Sequence, residues 1–123
     1  MKKKILISIP AYNEANNIRP LYKKLNETLE EKRDEVDFEI LFINDGSKDN
    51  TVSEVLSLIE QTDNVSLIDL SRNYGKEIAM SAGFDYSTHD AVITMDADLQ
   101  HPPATIIDMI DLWQQGYEDV YAK

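Results

Sequence analysis

The chain has 123 residues, of which 42% are hydrophobic and 28% are charged, so it has the size and composition of one small globular domain. Its formal net charge of -11 argues against general nucleic-acid binding and against electrostatic docking on anionic lipid. The absence of cysteine excludes disulfides, thiolate metal sites and a cysteine nucleophile. No apolar run is long enough to span a bilayer. We therefore expect a globular domain with no nucleic-acid partner.

Short apolar runs predict four strands along the chain, at residues 5–9, 38–43, 65–70 and 91–95. Pro10 is expected to end the first strand, because proline cannot donate to a strand ladder. The composition of residues 44–47 predicts a turn after the second strand. A fifth strand is predicted to begin at residues 119–122.

Stretches with apolar side chains at spacings of three and four predict a helix after each of these four strands. Asn16 or Asn17 is expected to cap the first helix, which would place Pro20 in its first turn, where proline is tolerated. Thr51 and Glu54 have the spacing of a capping box at the start of the second helix.

The third helix is predicted to open at Tyr74-Gly75 and to end at Gly83. The fourth is predicted to follow Pro102 and Pro103, to bury Trp113 in the core and to close at Gly116.

Strands that alternate with helices predict an α/β fold, with a Rossmann-like, mainly parallel sheet and helices on both faces. In such sheets ligands bind beyond the carboxyl ends of the strands. Polar clusters follow all four strands, at residues 10–14, 44–47, 71–76 and 96–101. We therefore predict a binding site at this carboxyl rim of the sheet.

Asp96, Asp98 and Gln100 follow the fourth strand at a spacing of two. On an extended backbone they would point to one side together, and their oxygens suit Mg²⁺ or Mn²⁺. The alternative is that Asp98 caps the next helix and Asp96 is a solvated turn residue. The buried strand before them and Gln100 in phase favour the metal site.

Single rim residues have two interpretations each. Asp45 is either a turn or capping residue or an acceptor for a base N–H, and Tyr12 either stacks on a base or covers the core edge. Glu14 either accepts from a ribose hydroxyl or favours the helix start. Arg72 and Lys76 either reach diphosphate oxygens or form surface salt bridges.

The two histidines are expected to be polar loop residues, with His89 in a surface turn and His101 a weaker candidate for a ligand or base. The four glycines form no dinucleotide-binding or P-loop motif, which argues against both of those nucleotide chemistries.

Three motifs in order resemble the inverting family 2 glycosyltransferases: Pro10-Ala11-Tyr12-Asn13-Glu14, Asn44-Asp45-Gly46-Ser47 and the stretch from Asp96 to Pro103. Within that family they are similar to the polyprenyl-phosphate sugar transferase branch, which includes dolichol-phosphate mannose synthase and bactoprenol glucosyltransferase. The resemblance covers the whole chain. It implies a GT-A fold and inverting sugar transfer from a UDP- or GDP-sugar to a polyprenyl phosphate, with Mg²⁺ or Mn²⁺ as cofactor.

The resemblance also implies roles for the positions that match the family's motifs. Around the nucleoside it places Pro10, Tyr12, Glu14, Ile43 and Asp45. Near the ribose and diphosphate it places Asp96 and Ala97, and on the cation Asp98 and Gln100. The stretch from Ser71 to Glu77, with Arg72 and Lys76, looks like the basic segment of the branch.

Family members continue well past this point, so residues 1–123 are expected to be one domain, the donor-binding half of a truncated GT-A unit. Acceptor residues, any catalytic base and membrane helices would lie beyond Lys123. We expect the fragment to be soluble, inactive alone and able to self-associate. Its full-length parent would act on the cytoplasmic side of the inner membrane, in cell-envelope synthesis.

Two other functions remain open at this point. One is a nucleotide-sugar-binding module without turnover. The other is a receiver-like α/β module that accepts phosphate, although such a module needs acidic residues directly after the first strand, where this chain has Pro10-Ala11-Tyr12.

Overall fold

The structure, a computed structural model, describes residues 3–95, 97 and 104–115. Strands and helices alternate along this part of the chain, as the sequence predicts. The strands are β1 (Lys3–Ala11), β2 (Val36–Asp45), β3 (Val65–Leu70) and β4 (Ala91–Thr94). The helices are α1 (Ala15–Leu29), α2 (Thr51–Gln61), α3 (Lys76–Tyr86) and α4 (Ala104–Gln114), with a 3₁₀ turn at Glu30–Lys32.

The four strands form one parallel sheet in the order β3-β2-β1-β4. Ile7 of β1 is in register with Ile40 of β2 on one side and Ile93 of β4 on the other. The chain therefore runs outward from β1 through β2 and β3, and then returns across β1 to β4. The boundary between β1 and β4 is the switch point at which doubly wound folds bind ligands.

Helices cover both faces of the sheet, as predicted. Side chains alternate along β1, so that Ile5, Ile7 and Ile9 point to one face and Leu6 to the other. The first face is covered by α1, α2 and α4, whose apolar residues join one large cluster. The second face packs on α3 through a small cluster around Leu6, Leu41, Ile43 and Ala79. Burial on both faces explains the nearly continuous apolar runs of β1 and β2.

The sequence predicts that Pro10 ends the first strand. In the structure, β1 continues to Ala11. The carbonyls of Lys4 and Ser8 accept hydrogen bonds from the β4 side. Pro10 is two positions after Ser8, so its backbone nitrogen faces the same side. Pairing with β4 stops at Ser8, so the missing N–H of Pro10 falls beyond the end of that ladder. Proline therefore removes no sheet hydrogen bond here.

Helix α1 begins at Ala15, with Glu14 as its N-cap, so the prediction of a cap at Asn16 or Asn17 is wrong. Pro20 consequently lies in the second turn and not in the first. The earlier start has a tertiary cause, because the side chains of Thr51, at the start of α2, and of Asp49, in the preceding loop, accept hydrogen bonds from the N–H groups of Glu14 and Ala15.

Strand β2 extends to Asp45, so the predicted turn at residues 44–47 begins only at Gly46, which has a φ of 71°. The predicted capping box is also absent. Thr51 is the first residue of α2, and its hydroxyl accepts a hydrogen bond from the N–H of Glu14, while Glu54 pairs with Arg19 of α1. Both side chains serve contacts between elements in place of a local cap.

Gly83 does not end the third helix, which continues to Tyr86. A Cβ at Gly83 would lie 2.3 Å from the Ser8 Oγ, so glycine lets α3 pack closely on β1. Trp113 is partly buried against the first core cluster, in line with the prediction. The predicted helix end at Gly116 and the fifth strand at 119–122 lie outside the described residues.

Candidate functional site

The β1–α1 and β2–α2 loops interlock at the carboxyl rim. Asn13 has a φ of 54°, a left-handed conformation that asparagine tolerates better than most residues. Its backbone N–H donates to the Ser47 Oγ at 2.9 Å, and its Oδ1 accepts from the N–H of Lys48 at 2.8 Å. Two polar contacts in opposite directions hold these loops together.

A second pair of contacts lies at the start of α1. The N–H of Glu14 donates to the Thr51 Oγ1 at 2.9 Å, and the N–H of Ala15 donates to an Asp49 oxygen at 3.2 Å. Burial alone would raise the pKa of Asp49, but hydrogen bonds from Thr51 and from backbone N–H groups outweigh it and lower that pKa. Asp49 is therefore an ionised acceptor that supports the β1–α1 loop.

Asp45 joins β2 to the β3–α3 loop. Its side chain is buried, and its two oxygens accept from the N–H of Tyr74 at 2.8 Å and of Gly75 at 3.1 Å. Gly46 lies directly against the same loop, because a Cβ there would be 2.2 Å from the backbone nitrogen of Asn73. Asp45 thus holds the entry to α3 through contacts 29 and 30 residues away along the chain, whereas the predicted turn or capping role was local.

The β3–α3 loop carries an exposed aromatic and cationic pair. The guanidinium of Arg72 lies 5.0 Å from the centre of the Tyr74 ring, a cation–π contact. The Ser71 and Tyr74 hydroxyls are 3.3 Å apart, and hydrogen bonds from Ser71 and Arg72 lower the pKa of Tyr74. Lys76, the first residue of α3, is exposed beside this loop.

The remaining predicted site residues differ in exposure. Tyr12 is 41% exposed, and Pro10 and Glu14 are half-buried, so all three are at the surface of the rim. Ile43 is fully buried on the α3 face of the sheet, and Ala97 is buried against the opposite core cluster. These two side chains lie in the core and support the rim from below.

The predicted cation ligands Asp96, Asp98 and Gln100 lie outside the described residues, as does His101. Within the described ranges, no group of three or more His, Asp or Glu side chains is placed to hold a metal ion. The same part of the chain contains no helix with the length and apolar character needed to cross a membrane. The rim loops that the structure describes in full are the β1–α1, β2–α2 and β3–α3 loops.

His89 is not the surface turn residue that the sequence predicts. Its side chain is only 10% exposed, and its Nε2 lies 2.8 Å from the Oε1 of Glu39. The hydroxyls of Ser66 and Tyr86 donate to the other oxygen of Glu39, at 2.6 and 2.5 Å. We call these four residues the Glu39 cluster. The cluster lies at the amino end of the sheet, away from the rim. The one feature of the sequence that could have indicated it is Glu39, a charged residue inside an apolar strand pattern.

Comparison with known proteins shows that the chain is similar to glycosyltransferases. The profile of the family described as Glycosyl transferase family 2 matches residues 6–123. A protein named Uncharacterized glycosyltransferase sll0501, from Synechocystis, is 43% identical over 99% of this chain and 38% of its own length. The Bactoprenol glucosyl transferase of Shigella phage SfX is 45% identical over 98% of this chain and 39% of its own length.

A solved structure supports the fold. The mannosyltransferase PcManGT from Pyrobaculum calidifontis, in complex with GDP-Man and Mn²⁺, superposes on 87% of this chain and 31% of its own with a TM-score of 0.72 and 23% identity. This agreement confirms the predicted Rossmann-like, GT-A type of sheet. The chain spans a little over a third of the length of the curated relatives named above. On the match over nearly its whole length, the chain belongs to glycosyltransferase family 2.

Proposed function

We propose that residues 1–123 form the donor-binding half of a glycosyltransferase domain. The donor would be a UDP- or GDP-sugar, and the whole protein would transfer its sugar, with inversion, to a polyprenyl phosphate. The observation that carries this proposal is the joined carboxyl rim, where the motif residues Tyr12 and Glu14 of the β1–α1 segment and Asp45 at the end of β2 lie in segments linked by hydrogen bonds. The bactoprenol name of similar proteins supports the lipid acceptor.

The rim offers complementary chemistry for a nucleoside diphosphate. Tyr12 presents an exposed ring on which a base could stack. Arg72 and Lys76 bring two positive charges to one end of an acidic protein, where a diphosphate would need them. Asp45 already accepts two backbone hydrogen bonds, so its first role is to fix the loop that carries Arg72 and leads into Lys76.

A divalent cation suits the oxygen ligands of the polar cluster that follows β4, at residues 96–101. Asp96, Asp98 and Gln100 would hold it through hard oxygen ligands, and Mg²⁺ or Mn²⁺ so bound would supply charge neutralisation for the diphosphate leaving group. The strand that precedes them runs parallel to β1 toward the same rim, and the N–H of Met95 donates to the carbonyl of Ser8 at 3.1 Å. The Mn²⁺ in the mannosyltransferase complex supports this choice of ion.

The residues of this chain would bind and orient the donor, which holds the anomeric carbon for attack from its open face. A lipid phosphate has a second pKa of about 6 and is largely ionised near neutral pH. Such an acceptor can attack without a dedicated base. Acceptor binding, membrane association of the full-length protein and self-association of this fragment are further parts of the proposal.

A binding module without turnover is the second candidate, because the chain matches little more than a third of each relative named above. Transfer of radiolabelled sugar to polyprenyl phosphate by this chain and by a full-length relative separates the two. We expect transfer by the full-length protein only. Turnover by the 123-residue chain alone would show that the catalytic unit is complete here.

Nucleotide binding is tested by calorimetry with UDP and GDP, in Mn²⁺ and in EDTA. We expect binding that depends on the cation, and we expect Asp98→Asn to remove most of that dependence. Asp108→Asn is a matched control, because Asp108 is an exposed carboxylate on the next helix. Equal affinity in Mn²⁺ and EDTA would contradict the metal role, and no binding of either nucleotide would contradict the proposed function.

A further inference from the structure

Helix α3 is held to the sheet by few large side chains. The residues it buries are Ala79 and Gly83, while Ile78 and Phe84 are 51% and 48% exposed. Small residues allow close approach but bury little apolar area, so they fix the position of a helix weakly. Something else must hold α3 in place on β1 and β2.

Two carboxylates of β2 provide that hold, one at each end of the helix. Asp45 accepts from the N–H groups of Tyr74 and Gly75 just before α3 begins. Glu39 accepts from the hydroxyl of Tyr86, the last residue of α3, and from His89 in the following loop. The two carboxylates are six positions apart on β2, about 20 Å of extended strand, and this even spacing puts both on the α3 face.

The chemistry of the Glu39 cluster makes this hold strong. Burial alone would raise the pKa of Glu39, but the hydrogen bonds from Ser66, Tyr86 and His89 outweigh it and hold that pKa below 4.5. The hydrogen bond to Glu39 raises the pKa of Tyr86, which therefore stays a donor. Because an ionised carboxylate only accepts, the Nε2 of His89 carries the proton, and its Nδ1 faces the Ser87 hydroxyl at 3.0 Å.

We propose that Glu39 is a positioning residue for the β3–α3 loop. It fixes the carboxyl end of α3, and the rigid helix sets the position of Lys76, its first residue, and of the preceding loop with Arg72, at the opposite end of the sheet. The effect of Glu39 on donor affinity rests on the proposed function. Its effect on the position of the β3–α3 loop does not. Glu39 would therefore affect the affinity for the sugar donor, although it lies at the opposite end of the sheet from the donor site.

The effect of Glu39 on the position of the loop is tested by NMR on Glu39→Gln. This substitution keeps the shape of the side chain but replaces one acceptor oxygen by a donor. We expect the backbone amide resonances of Tyr74 and Gly75 to shift, although they lie at the far end of α3. Val36→Ala is the matched control, since Val36 is buried at the amino end of the same strand but points to the other face. Its amide shifts should stay local.

Donor affinity is measured on the same proteins with UDP and GDP in Mn²⁺. We expect Glu39→Gln to weaken binding on the order of fivefold or more, and Val36→Ala to leave it unchanged. Tyr86→Phe, which removes one of the three donors, should fall between them. Unmoved Tyr74 and Gly75 amides in folded Glu39→Gln would overturn the proposal. If the wild-type chain binds neither nucleotide, the proposed function fails, and the amide shifts still decide the positioning role.

Discussion

The two faces of the sheet are built by different means. On the first face, α1, α2 and α4 bury large aliphatic side chains such as Leu21, Leu25 and Ile110 in one cluster. On the second face, α3 buries small residues, and carboxylates of β2 hold both of its ends. Apolar packing is non-directional, whereas hydrogen bonds to a carboxylate fix direction.

This difference assigns the faces different tasks. The first face supplies most of the buried apolar area and hence most of the stability. The second face supplies less stability but holds the β3–α3 loop, which carries Arg72 and Tyr74, in a defined place. Substitutions should therefore separate the two tasks.

The largest effect is expected from Leu25→Ala on the first face. Leu25 is fully buried, and loss of its side chain should reduce the free energy of unfolding by about 2–5 kcal/mol. Urea denaturation measures this change. A loss below about 1 kcal/mol would show that the first face does not dominate stability.

Glu39→Gln tests the polar hold on the second face. Loss of hydrogen bonds to a charged acceptor should cost about 1.5–3 kcal/mol at pH 7. Because the pKa of Glu39 in the folded protein is below 4.5, its contribution is complete above that pH and is lost as the pH falls through the folded value. The difference between wild type and Glu39→Gln in urea denaturation should thus stay constant above that pH and shrink as the pH falls below it. A difference that stays constant below that pH as well would contradict a role for the charge.

Gly83→Ala tests the close approach of α3 to β1. The new methyl would meet the Ser8 Oγ at 2.3 Å and the Ile43 Cδ1 at 3.1 Å. The clash should cost about 1–3 kcal/mol and exceed the gain in helix propensity of about 1 kcal/mol. Thermal denaturation measures it, and Ser8→Ala in the same chain should restore part of the loss. A more stable Gly83→Ala protein would show that α3 can move away freely.

The smallest effect is expected from Ser8→Ala alone. The Ser8 hydroxyl is buried and has no hydrogen-bond partner among the described residues. Its removal should therefore leave the free energy of unfolding unchanged within about 0.5 kcal/mol, or raise it slightly. A clear loss of stability in urea would reveal a partner for this hydroxyl, such as a bound water.

Local patterns predicted the strands and the parallel sheet well, because apolar runs of Ile, Leu and Val on both faces leave little choice of fold. Element ends were predicted less well. Thr51 and Glu54 have capping-box spacing, yet each contacts α1. Gly83 resembles a helix end, yet it serves a contact with β1 that is distant in sequence.

The rim motifs could be placed from the sequence because each follows a strand, and parallel strands bring their carboxyl ends together. The partners of Asp45 and of His89 could not, since they are 29 and 50 residues away along the chain. No spacing rule reaches that far. The roles of Asp96, Asp98 and Gln100 stay predictions.

The central claim is that the carboxyl rim binds a nucleoside diphosphate. NMR titration of the chain with UDP or GDP in the presence of Mg²⁺ tests it most directly. We predict that the amide resonances of Tyr12, Gly46 and Gly75, at the rim, shift on titration, while those of Val36 and Asn64, at the amino end of the sheet, do not. Shifts centred on Val36 and Asn64, or no shifts with either nucleotide, would contradict the claim.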